Sequence, residues 1–159
     1  KYFLDICKVC YLEYQKTLEE QHCIDFQDMI NESAELIRKK RVARERLDYR
    51  YIIVDEYQDI SRQRYNLVKE LSALCAAKIM AVGDDWQSIY AFSGSVLPLF
   101  THFCEEVGYG QELKITRTYR NAQEIIDIAG AFVQRNSAQI KKELISPKRI
   151  TNPVIIHIL

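Results

Sequence analysis

The chain has 159 residues, the size of one domain, and a chain of that length buries roughly 68–70% of its unfolded surface, enough for a true core. Its 22 basic and 22 acidic residues cancel, so the global positive charge that marks many nucleic-acid binders is missing. No apolar run approaches the ~18 residues needed to span a bilayer, and no signal-peptide core is present, so a cytoplasmic protein without a membrane partner is expected.

In chain order, a helix is expected over 1–21, where residues 1–14 alternate Tyr, Phe, Leu, Ile and Val with charges in a helical pattern. The sequence opens on Lys1 rather than methionine, and it is expected to be a piece of a longer protein. Cys7 and Cys10 have C-x-x-C spacing, but no second pair follows, and a buried helix face is the plainer reading than a metal site. Five cysteines, an odd number mostly inside helical patterns, fit a reducing compartment. A second helix is expected over 26–47, with Asp25, Asp28, Glu32 and Glu35 leading it and Arg38, Lys39, Lys40, Arg41, Arg44 and Arg46 ending it. That order suits the helix dipole, and a solvated helix accounts for it better than a phosphate contact does.

Tyr51, Ile52, Ile53 and Val54 form a β-branched run, read as a buried strand over 51–55, that stops at Asp55, Glu56, Tyr57, Gln58 and Asp59. Acids at the carboxyl end of such a strand stand where open parallel sheets bind ligands, and there they can coordinate Mg²⁺ beside a nucleoside triphosphate. A strand followed by an acidic helix cap would look the same. A helix over 62–75 follows, with Ser61 as N-cap and Tyr65, Val68, Leu71, Leu74 and Cys75 on one face. It reads as the crossover to a parallel strand over 78–82, which ends in Gly83, Asp84, Asp85, Trp86 and Gln87. A right-handed crossover brings both polar clusters to one sheet edge. Trp86 is expected to pack rather than face solvent.

A helix over 97–107, a turn at Gly108 to Gly110, a strand over 112–116 and a helix over 122–135 come next. The last has Ile125, Ile128, Ala129, Phe132 and Val133 on one face, and Asn121 with Glu124 approximates a capping box. Residues 154–158 read as a final strand. Such alternation means an α/β fold with a parallel sheet flanked by helices.

The ordered set DEYQD (55–59), GDDWQSIYAFSG (83–94) and TYRN (118–121) resembles the UvrD/Rep-like superfamily 1 DNA helicases, the helicase IV branch above all. Asp25 to Ile30 resembles the family's DF-x-x-L-I segment, so the likeness runs from about Asp25 to Asn136. The resemblance implies a partial RecA-like, P-loop NTPase-like sheet. Residues 1–110 would be the C-terminal portion of a first motor domain, and 111–159 the start of a second. It implies that Asp55 holds Mg²⁺, Glu56 activates the attacking water, Gln87 senses the γ-phosphate, Arg120 adds positive charge to it, and Tyr119 stacks on the adenine of ATP. Tyr90 and Phe92 would stack on single-stranded DNA. As plainer alternatives, Gln58 and Asp59 could cap a helix and Tyr119 could be core.

Ser93 and Ala91 stand where many relatives carry arginine. The five glycines, 83, 94, 108, 110 and 130, include none in G-x-x-x-x-G-K-[ST], so these residues contain no phosphate loop. The expectation is that this polypeptide alone hydrolyses no ATP, while the longer chain, its remaining partner, does. Two further readings stay open: a non-enzymatic relative that binds single strands or a partner protein, and part of a helicase-nuclease subunit.

Overall fold

The computed structural model describes residues 2–155 and divides the chain into two compact units, one of residues up to 54 together with 61–81, the other of 55–60 with those from 82 onward. None of the described helices is long and apolar enough to cross a membrane.

In the first unit, α1 (Tyr2–Glu20) and α2 (Phe26–Arg38) each end in a Schellman turn, with His22 and Lys40 in the left-handed region at φ 53° and 54°. The Cys23 N–H reaches the Leu18 carbonyl, and the Arg41 N–H the Leu36 carbonyl, each at 2.9 Å. This turn stops α2 at Arg38, nine residues before the expected end; only a short 3₁₀ turn at Arg44–Arg46 follows. α2 begins as its sequence directs: the Asp25 side chain accepts from the Asp28 N–H at 2.7 Å while Asp28 accepts from the Asp25 N–H at 3.2 Å, a reciprocal capping pair. α1 buries no residue, so Cys7 and Cys10 are exposed rather than on a buried face, and no metal-ligand cluster of three or more forms among the described residues. Periodicity sets a helix, but burial needs apolar cover, and α1 meets the start of α2 through a polar contact, the Tyr14 hydroxyl on Asp25 at 3.1 Å.

Strands β1 (Tyr51–Val54) and β2 (Lys78–Ala81) pair in parallel, in the register Tyr51 to Lys78 through Val54 to Ala81. The connection includes α3 (Arg62–Cys75), capped by the Ser61 side chain on the Arg64 N–H. The face read from the sequence is the packed one: Tyr65 and Cys75 are buried, and the Cys75 thiol donates to the Leu47 carbonyl at 2.9 Å. The strands themselves alternate, with Tyr51, Ile53 and Met80 more than half exposed. Apolar composition on both faces suggested full burial, but only one face of this sheet is covered among the described residues.

In the second unit, the expected helix over 97–107 is two short ones, α4 (Pro98–Thr101) and α5 (Phe103–Val107), broken at His102. Residues 112–116 do not form a strand. Leu113 and Ile115 are 80% and 83% exposed, and no described strand offers their backbone a partner. A single parallel bridge joins Arg117 to Ile145. Helix α6 (Gln123–Val133) has Ala122, not Asn121, at its N-cap, a side chain with no acceptor to offer, and Glu124 accepts from the Ile150 N–H at 3.0 Å instead of closing a capping box. Its buried face carries Ile126 and Gly130; Ile125, Ile128, Ala129 and Phe132 are exposed, contrary to the face expected. Val154 and Ile155 are not in a strand, and residues 156–158 lie outside the described residues.

Removing the α3 cap gives a direct check. Ser61→Ala should cost about 1 kcal/mol of stability, measured by denaturant unfolding, whereas Asn121→Ala should cost less than about 0.5 kcal/mol because Asn121 caps nothing.

Candidate nucleotide and single-strand site

The chain leaves β1 at Val54 and turns sharply. Glu56 has φ 49° and ψ 42°, a left-handed conformation uncommon for a residue with a side chain. Three contacts hold it. Its N–H donates to Asp55 Oδ1 at 2.9 Å, its Oε2 accepts from Gln58 Nε2 at 2.7 Å, and the following Tyr57 N–H donates to the Val82 carbonyl at 2.9 Å. Tyr57 is 1% exposed and wedges between Phe100 and Phe103, at ring separations of 6.3 and 5.4 Å, so the turn is pinned from below.

Gln58 is also 1% exposed, and its amide is satisfied on both ends. The nitrogen goes to Glu56, and Oε1 accepts from the Asp84 N–H at 3.0 Å. Asp84 in turn takes the Gln87 amide on Oδ2 at 2.8 Å, with the Trp86 N–H on Oδ1 at 3.1 Å. A continuous chain of hydrogen bonds therefore runs from Glu56 through Gln58 and Asp84 to Gln87. Asp55 and Glu56 are exposed at its start and Gln87 is exposed at its end. Burial pushes the Asp84 carboxyl up, but the Gln87 hydrogen bond and the Lys142 ammonium outweigh it and hold the group below the usual carboxylate range.

Past Gln87 the loop turns through a short 3₁₀ segment at Ala91–Ser93. There Tyr90 and Phe92 lie side by side, ring centroids 5.9 Å apart and inclined at 55°, with Phe92 86% exposed. Ser93 donates to the Tyr90 carbonyl at 2.9 Å and so closes the turn that presents both rings.

Tyr119 and Arg120 belong to a different cluster. Tyr119 is exposed beneath the Arg117 guanidinium, 5.5 Å from ring centre to Cζ, so it is not core. The Arg120 carbonyl accepts from Lys148 and its N–H reaches Thr118. Among the described residues no hydrogen bond joins either residue to Asp55, Glu56 or Gln87. The residues that spacing did not single out are Gln58, read as a helix cap, Asp84, and Lys142, which touches both Asp84 and Asp85. A buried amide two residues after the acids leaves no mark in the sequence that separates it from a capping one.

Gly83 permits the close approach of the two loops. A Cβ there would meet Gln58 Oε1 at 2.5 Å and Phe100 Cε2 at 2.9 Å. Gly83→Ala should therefore cost about 1–3 kcal/mol in unfolding experiments by overpacking against buried Gln58. Because the Asp84 carboxyl is depressed in the folded state, the stability it confers is complete above its ordinary value of about 3.9 and is lost as pH falls through the lower folded one. Asp84→Asn should flatten that part of the acid limb in stability measured from pH 6 to pH 2.

Comparison with known proteins places the chain. The family described as the UvrD/REP helicase N-terminal domain matches residues 2–108. DNA helicase IV of Escherichia coli is 37% identical over 132 residues, covering 82% of this chain and 19% of that protein. ATP-dependent DNA helicase UvrD1 of Mycobacterium tuberculosis is 31% identical over 142 residues, 84% of this chain and 18% of that protein. DNA helicase II of Haemophilus influenzae is 29% identical over 149 residues, 92% of this chain and 20% of its own length. The chain thus spans about a fifth of the length of these curated relatives. With two thirds of its residues matched, it belongs to the UvrD/REP helicase family.

Proposed function

We propose that this chain is part of an ATP-dependent superfamily 1 DNA helicase that unwinds duplex DNA by moving along one strand. The observation that carries the reading is the hydrogen-bond chain from Glu56 to Gln87, with an exposed aromatic pair three and five residues further along the same loop. On this reading residues 1–110 form the C-terminal portion of a first RecA-like motor domain and residues 111–159 begin the second.

The donor set fits Mg²⁺ carried in with a triphosphate. Asp55 and Glu56 are adjacent and exposed, and the hydrogen bonds at the turn use Asp55 Oδ1 and Glu56 Oε2, leaving Oδ2 and Oε1 outside them. One or two carboxylates with the phosphates themselves suffice for this cation. Bound there, it would neutralise charge on the phosphate oxygens. Asp55 would be its ligand, and Glu56 accepts the proton of the attacking water. Gln58 orients Glu56 by fixing one carboxylate oxygen, which leaves the other to act as base. Gln87 reaches the γ-phosphate when it leaves Asp84, and Arg120 adds positive charge at the same group. Tyr119 offers an exposed ring for the adenine. Tyr90 and Phe92 offer two for successive bases, a sequence-tolerant contact worth about 1–3 kcal/mol per base.

Coupling follows from adjacency. Gln87 and the aromatic pair sit on one short loop, so the event that draws the amide toward a phosphate also moves the rings that grip the strand.

In the full-length chain, Glu56→Gln should lower DNA-stimulated ATP hydrolysis by about 10²–10⁴-fold, and Phe92→Ala should weaken binding to oligo-dT and mixed-sequence single strands alike by about 1–3 kcal/mol. Hydrolysis that survives Glu56→Gln would sink the assignment. The 159 residues alone, lacking a phosphate loop, should show no turnover with Mg²⁺, ATP and single-stranded DNA.

A further inference from the structure

Asp85 is 1% exposed, and a carboxylate taken out of water is tolerated only when paired and hydrogen-bonded. Its Oδ2 accepts from the Ile140 N–H at 2.6 Å and its Oδ1 from the Lys142 ammonium at 2.8 Å. That ammonium, 14% exposed at its side chain, also contacts Asp84 Oδ1 and lies 4.8 Å from the Trp86 ring centre. Trp86 is anchored from its other side: its indole N–H donates to the Ile140 carbonyl at 3.1 Å, and a Cβ added at Gly130 of α6 would meet its ring at 3.1 Å. One lysine therefore serves two neighbouring acids, a buried one that fixes the segment around Ile140 and a half-buried one whose other oxygen carries the Gln87 amide.

We propose that Lys142 is a positioning residue for Gln87, acting through Asp84. Without its ammonium the carboxylates of Asp84 and Asp85 repel across adjacent positions, Asp84 swings outward, and the acceptor that sets the resting place of the Gln87 amide is displaced. With it, Asp84 keeps an ion pair on Oδ1 when Gln87 leaves Oδ2, so departure toward a phosphate does not strand an unpaired half-buried charge. The lysine thus stabilises the loop on both sides of the Gln87 movement. This rests on the reading of Gln87 as the γ-phosphate sensor, and the test separates the two.

The full-length chain is assayed with Mg²⁺-ATP and single-stranded DNA as Lys142→Met, Lys142→Arg, Asp84→Asn, Gln87→Ala and the pairwise combinations with Gln87→Ala, each with a thermal melt. Methionine keeps an apolar stem over Trp86 and removes the charge. Lys142→Met is expected to lower kcat about 10-fold with KM for ATP within about twofold, Lys142→Arg to recover most of that loss, and the Lys142→Met effect to vanish when Gln87 is already alanine. Asp84→Asn leaves the Asp85–Lys142 pair in place and is expected to show the same dependence on Gln87, which keeps the test decisive if Lys142→Met does not fold. Losses from Lys142→Met and Gln87→Ala that multiply, or a lowered melting temperature with unchanged kcat, would overturn the proposal while leaving the sensor reading intact. A normal kcat in Gln87→Ala would overturn the sensor reading and this proposal with it.

Discussion

The candidate site depends on one buried amide. Gln58 has no water to fall back on, so both ends of its side chain must be met inside the protein: its nitrogen by the Glu56 carboxylate and its oxygen by the Asp84 N–H. An unmet buried amide costs about 1–3 kcal/mol, which sets the strength of this coupling. Two loops that follow different strands are thereby held in one arrangement. The Tyr57 N–H on the Val82 carbonyl repeats the link through the backbone, and Gly83 keeps the space that both require.

The same bonds account for the conformation of Glu56. A left-handed backbone at a non-glycine residue is unfavourable by roughly 1–2 kcal/mol, and here it is retained because the flanking groups over-determine it. Its effect is to bring the Glu56 carboxylate back over the turn, onto Gln58, instead of letting it continue the strand direction. Orientation of the carboxylate and strain of the backbone are one feature seen twice.

The loop from Gly83 to Gly94 divides its labour residue by residue. Asp85 and Trp86 face inward and are anchored on Ile140, Lys142 and α6, whereas Asp84 joins Gln58 to Gln87 and Tyr90 and Phe92 face solvent. An inward anchor on one side allows the outward set on the other to be held in place while only a few residues long. Arg117 to Arg120 is organised separately, around the bridge to Ile145 and the contact with Lys148.

Much of this was legible in the residues. The Ser61 cap, the packed face of α3, the two parallel strands and the family motifs follow from local rules, because a cap, a helical period and a strand each need only a few neighbouring residues. The capping pair of Asp25 and Asp28 is equally local, three residues apart at the start of α2. The errors share a different cause. The exposure of Cys7 and Cys10, the open face of β1, the missing strand at 112–116 and the rotated face of α6 all turn on what stands opposite an element, and periodicity cannot report that.

The sequence alone determined the two parallel strands, the helix between them with its Ser61 cap, and the motifs that carry the family resemblance. Only the tertiary structure decided that Gln58 is a bridge rather than a cap, that Glu56 is turned left-handed, and that Lys142 meets Asp84 and Asp85 from 58 and 57 residues away. The reason is that a hydrogen bond or ion pair between distant residues is fixed by the packing that brings them together and excludes water from them, and no short stretch of sequence contains that information.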